Sequence, residues 1–172
     1  ANMSIVTKYD NFDINKLKFT GIRKNKYGGR SIGMLYEGRP LTLSTPLMKT
    51  WGINKNVDEK SGNISYSMSL RFDSTNEDSN QFMKVLKEIQ DYIMTTATKD
   101  SEAWFGKTKK KEVLEELCNS LFKYSKNKET QQVDYTRDPT LRLNIPYYDD
   151  KFNVEIYSLD KKPLFNPHMD LN

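Results

Sequence analysis

Cysteine and histidine are almost missing from this chain. Cys118 and His168 are the single copies of each, so no internal disulfide can form and no zinc site can be assembled from thiolates and imidazoles. That cysteine usage fits a reducing compartment. No apolar run approaches the roughly 20 residues of a membrane-spanning helix, and no secretory leader is visible. Acidic residues with EF-hand spacing are also lacking. Gly106-Lys107-Thr108 copies the end of a phosphate-binding loop, but such a loop needs glycine where Ser101 stands, and a strand rather than a helix before it. These absences leave no cofactor and no metal to expect, and they argue against an enzyme. A nuclease with several carboxylates converging on a metal is the catalytic alternative that stays open.

What is present is a polar, foldable chain. Apolar residues make up 36% and charged residues 29% of its 172 positions, which suffices for a real core under a polar surface. One domain over residues 3–172 is the expectation, with Ala1-Asn2 before Met3 read as an expression scar. The net charge of +4 hides an asymmetry: residues 1–56 hold ten lysines and arginines against three acids, and the remainder 17 against 20. A basic amino-terminal region beside a mildly acidic remainder points to a polyanion partner.

The organising stretch runs from Lys16 to Trp51. It reads as three strands joined by a glycine turn at residues 25–29 and a two-residue connection, Glu37-Gly38. Pro46 ends the third strand, and residues 49–62 read as a polar loop anchored by Trp51 and Ile53. From Ile64 to Phe72, apolar residues alternate with Ser65, Ser67, Ser69 and Arg71, which predicts a strand with one buried and one exposed face. Ser74-x-x-Glu77 predicts a capping box, followed by a helix whose stripe is Phe82, Val85, Leu86, Ile89, Tyr92 and Ile93. A second helix is expected from Lys110 to Lys126, with Val113, Leu114, Leu117, Cys118, Leu121 and Phe122 inward, making Cys118 a core residue rather than a reactive thiol. Residues 126–138 read as a mobile polar loop. Leu141, Leu143 and Ile145 predict a further strand closed by Pro146, and Phe152, Val154 and Ile156 its hairpin neighbour, with Asp149-Asp150 in the turn. The prolines and His168 of residues 161–172 read as a tail, or as a chain cut short of a longer protein.

The fold class expected from this order is α+β, mainly antiparallel β: an OB-like barrel of five to six strands with two helices inserted before the last strand pair. An open α+β sandwich is the alternative. For function, basic residues interleaved with aromatic ones suit a single-strand surface, where cations meet phosphates and rings stack on bases. The candidate cations are Lys24, Lys26, Arg30, Arg39, Lys49, Arg71 and Arg142, joined by the run Lys107, Lys109, Lys110 and Lys111 before the second helix. Tyr27, Trp51 and Trp104 are the candidate stacking rings. Tyr147 and Tyr148 are surface candidates, whereas Tyr36 and Phe72 share the phase of apolar neighbours and read as core.

Tyr27-Gly28-Gly29-Arg30, the stretch Pro40-Leu41-Thr42-Leu43-Ser44-Thr45-Pro46-Leu47-Met48, Trp51-Gly52, the strand over residues 65–70 and Leu164-Phe165-Asn166-Pro167 carry a resemblance. With these motifs the chain resembles a family of proteins from the giant, nucleocytoplasmic large DNA viruses. That resemblance implies an OB-fold, non-enzymatic single-stranded-DNA-binding protein of viral replication or genome handling, working in the host cytoplasm or the virion. It implies single-stranded nucleic acid, DNA favoured, as partner, with viral replication proteins and further copies of the chain as others, and no membrane. It also implies a carboxy-terminal strand region beyond residue 172. No binding residue is carried over from the family. The rival classes are a scaffold protein binding partners through its helical pair, and the metal-dependent nuclease.

Overall fold

One apolar stripe nucleates the longest element. Helix α1 (Glu77–Lys99) buries Phe82, Val85, Leu86 and Ile89 at helical spacing. Its start is set by Asn76, whose side chain accepts the Ser79 N–H at 3.0 Å, with Glu77 and Asp78 favourably placed in the first turn. The cap is therefore Asn76 and not Ser74. The carbonyl of Ser74 instead accepts from Asn80 Nδ2, while Asp73 accepts the Thr75 N–H.

The structure, a computed structural model, describes residues 6–152, 154–155 and 157–162. It is α+β with mostly antiparallel strands. The chain divides into two compact units, Ala1–Leu47 with Asp73–Leu121, and Met48–Phe72 with Phe122–Asn172.

The first unit holds seven short strands and all the helices among the described residues. These strands are β1 (Thr7–Lys8), β2 (Leu17–Phe19), β3 (Arg23–Lys24), β4 (Arg30–Ser31), β5 (Met34–Tyr36), β6 (Arg39–Pro40) and β7 (Leu43–Ser44). β2 and β3 run against β5 and β4 as one interrupted hairpin, and β6 adds to β5. β7 leaves the meander to pair in parallel with β1. The first turn is closed by the Asn25 carboxamide, which accepts from the Tyr27 and Gly29 N–H groups. In the second, Glu37 and Gly38 both have positive φ, 49° and 78°, the type I′ conformation that matches strand twist. The Tyr36 ring is buried, stacks on Phe12 at 5.2 Å, and accepts the Asp13 N–H through its hydroxyl oxygen at 3.1 Å.

After α1 come α2 (Ser101–Phe105), stopped by Gly106 at φ 80°, and α3 (Lys111–Leu117). The expected helix over Lys110–Lys126 is thus cut to seven residues. Cys118 is already extended (φ −90°, ψ 133°), and Gln90 Oε1 accepts both the Leu121 N–H at 2.8 Å and the Ser120 hydroxyl, holding that segment off the helical path. Cys118 is consequently exposed, not core. Leu114 alone is buried on α3, and Val113 and Leu117 face solvent.

The second unit is built on β8 (Lys49–Val57), β9 (Ile64–Arg71) and β10 (Thr140–Ile145), in the order β10-β9-β8, all antiparallel. The expected loop over 49–62 is mostly this strand. Asp58 caps the hairpin tip, accepting the Lys60 and Ser61 N–H groups, bonds that hold its carboxyl below the usual carboxylate range. Residues 126–138, read as a mobile loop, include the bridge Lys126–Val133, with Asn127 N–H donating to the Gln132 carbonyl at 2.8 Å. Phe72 is fully buried against Phe122.

A last hairpin, β11 (Tyr147–Tyr148) with β12 (Lys151–Phe152), sets Tyr147 and Phe152 against Tyr66. Ile156, His168 and the tail motifs lie outside the described residues. The turn between β11 and β12 puts Asp149 and Asp150 both at φ 54°, the left-handed region that costs non-glycine residues about 1–2 kcal/mol. Replacing the pair by Asn-Gly is expected to raise stability by about 1 kcal/mol, read as a higher urea midpoint at unchanged slope. The strands form five separate open sheets, and no closed barrel is drawn among the described residues.

Candidate nucleic-acid interface

The register of the β10-β9-β8 sheet sorts its side chains. Directly opposed residues share a face, and residues two apart along a strand share it too. Leu70 opposes Leu141, and Met68 lies between Leu143 and Ile53, while Tyr66 opposes Ile145. Thr50 opposite Leu70 and Lys55 opposite Tyr66 are the polar members of this otherwise apolar face, which carries the Tyr147–Phe152 hairpin. On the other face, Arg71 lies between Lys49 and Thr140, Ser69 opposes Arg142, Ser67 lies between Asn54 and Asn144, and Ser65 opposes Asn56. Every residue there is a cation, an amide or a hydroxyl, and none is a carboxylate.

The single break in the ladder falls between Thr50 and Ile53, where Trp51 and Gly52 stand against Ser69 alone. Gly52 takes φ 102°. The bulge therefore sets the 66% exposed Trp51 and the exposed Arg142 at the two sides of one β9 residue. Among the described residues, no carboxylate lies within 4.0 Å of Lys49, Arg71 or Arg142. Lys49 directly opposes Arg71, a like-charge pairing that disfavours the folded sheet unless an anion sits over it. Ser67 is buried and accepts from Asn56 Nδ2 at 3.2 Å, so this face is ordered at its centre and open at its cationic end.

Ten of the fourteen expected residues belong to the first unit. On the β3–β4 hairpin, Lys24 directly opposes Arg30. Tyr27 at its tip is 83% exposed, with Lys26 Nζ 4.9 Å from its ring centroid. Arg30 Nη1 donates to the Trp104 carbonyl at 3.3 Å, which ties the hairpin to α2. Lys109 is half-buried: its N–H donates to the buried Ser101 hydroxyl at 3.0 Å, and its ammonium lies 5.3 Å from the Phe105 ring centroid. Lys107 and Lys110 are exposed beside it.

Two expected residues stand apart from this group. Lys111 is paired with Glu115 at 3.8 Å, and Arg39 lines a separate depression with Thr7, Tyr36 and Glu37. Trp104 is half-buried rather than a free platform, because it packs edge-on to Phe19 at 5.3 Å.

Asn54, Asn56, Ser65, Ser69 and Asn144 share the acid-free face with the arginines. The alternation from Ile64 already phases Ser65, Ser69 and Arg71 together. The asparagines of β8 lay hidden in a segment read as loop. Among the described residues, no group of three or more His, Cys, Asp or Glu side chains could hold a metal ion, and no helix is long and apolar enough to cross a membrane. Neither a family model, a curated protein nor a solved structure matches the chain.

Proposed function

We propose that the chain is a non-enzymatic single-stranded-DNA-binding protein. The acid-free face of the β10-β9-β8 sheet carries this reading. Its open end offers Lys49, Arg71 and Arg142 to phosphates, its asparagines and serines offer donors and acceptors to sugars and base edges, and Trp51 offers a ring for stacking. The β3–β4 hairpin of the first unit, with Lys24, Lys26, Tyr27 and Arg30, adds a second cationic surface with its own exposed ring. Parts of the same proposal are an OB-like arrangement of the strands, which rests on the order of strands and helices and on the sequence resemblance, and a role in viral replication or genome handling in the host cytoplasm or virion, which rests on the resemblance alone.

The test is fluorescence anisotropy of a labelled single strand at several salt concentrations. Three phosphate contacts correspond to a log K versus log salt slope of about −2, with a duplex of equal length bound more weakly. No binding at low salt would remove the proposal. Exposed Val113 and Leu117 on α3 favour a second reading, a scaffold that recruits a protein partner through that helix. It predicts no response to any nucleic acid, and loss of partner recruitment in Leu117→Asp.

A further inference from the structure

We infer that Trp104 is the shared wall of a two-compartment nucleotide site in the first unit. One compartment holds a base with its phosphate, and the other holds the sugar and base edge of the next residue of the strand. This rests on the single-strand reading and names where, apart from the sheet face of the second unit, such a strand is gripped.

Two depressions meet at Trp104. One has a volume of 310 Å³ and is lined by Arg30, Ser31, Ile32, Trp104 and Phe105. The other has a volume of 490 Å³, and its lining joins Trp104 and the Phe19 and Tyr92 rings to Thr20, Thr95, Thr96, Lys99 and Asp100. Both fall in the range of about 300–1,000 Å³ usual for small-ligand sites. The wall between them is fixed. Trp104 packs edge-on to Phe19, which stacks on Tyr92 at 5.2 Å, and Gly106 stops α2 immediately beyond.

The compartments differ in chemistry. The first is mostly apolar, holds no carboxylate, and is rimmed by cations. The Arg30 guanidinium spends one N–H on the Trp104 carbonyl and keeps its remaining donors for a ligand. Lys109 lies over Phe105, and Lys24 lies across the hairpin from Arg30. Trp104 and Phe105 are inclined at 67° with centroids 6.4 Å apart, a corner that suits a flat ring resting against one aromatic wall with a phosphate at the rim.

Besides the Phe19 ring, the second compartment carries four hydroxyls (Thr20, Tyr92, Thr95 and Thr96), one ammonium and one carboxylate. Asp100 repels phosphate there and accepts from sugar hydroxyls and exocyclic amines. A ligand that is anionic at one end, flat in the middle and rich in donors at the other is a nucleotide within a strand. An apolar peptide would leave Arg30 and Asp100 without partners.

Arg30→Ala and Phe105→Leu, both at exposed positions, are each expected to weaken single-strand binding about fivefold or more by anisotropy, with melting temperatures like the parent's. Trp51→Phe leaves Trp104 as the only indole, and its emission is expected to change along the same isotherm as the anisotropy. Parent-like affinity in both variants, or Trp104 emission that stays constant while anisotropy rises, overturns the site and leaves the single-strand proposal standing. A parent chain that binds no strand at low salt overturns the proposal itself.

Discussion

Glutamate at both Arg71 and Arg142 is expected to weaken single-strand binding a hundredfold or more. Each arginine is exposed on the acid-free face and has no carboxylate partner among the described residues, so its donors are available to phosphate. A hydrogen bond to a charged group contributes about 1.5–3 kcal/mol. Losing two such contacts weakens binding by roughly 10²–10⁴-fold, before the repulsion of two new carboxylates is added. The fold should not suffer. Exposed substitutions ordinarily change stability by less than about 0.5 kcal/mol, and glutamate at 71 would face Lys49 with opposite rather than like charge. The expected pair of results is therefore an anisotropy isotherm weakened to that extent and an unchanged or slightly raised melting temperature. Affinity within twofold of the parent would show that this face does not carry the binding.

The sequence announced some elements and concealed others for physical reasons. The α1 stripe and the β9 alternation were legible because each period is long and uninterrupted, and tertiary packing only had to bury what the pattern already segregated. β8 was concealed by its own bulge. Trp51-Gly52 shifts the phase midway, so Lys49 to Val57 never alternates cleanly and reads as loop. α3 was over-extended because Leu117, Cys118, Leu121 and Phe122 continue a helical spacing. What ends the helix is a carboxamide on another element, Gln90, capturing Leu121. No local pattern reports such a contact.

The candidate site divides in the same way. Its cations could be named one by one from charge and phase. That Lys49, Arg71 and Arg142 share a face depends on how strands some seventy residues apart in sequence come into register, and only the paired sheet displays that. The separation of Arg39 and Lys111 from the hairpin group is likewise a matter of which neighbour each side chain meets.

Phe82→Ala should be among the most damaging single truncations for stability. The ring is 2% exposed on the inner stripe of α1 and meets Tyr9 edge-on at 6.1 Å. Alanine would remove most of a large apolar side chain and leave a cavity, at a cost of about 3–5 kcal/mol. For a chain of this size each kcal/mol moves the thermal midpoint by roughly 2–4 °C, so a fall of order 10 °C is expected, with an earlier urea midpoint. Tyr27→Ala is the matched contrast. Its ring is 83% exposed at the hairpin tip and buries little, so stability should stay within about 0.5 kcal/mol of the parent. Phe82→Ala with an unshifted midpoint would mean that α1 does not pack by this stripe. A large loss in Tyr27→Ala would mean that the hairpin tip is covered rather than free to meet a ligand.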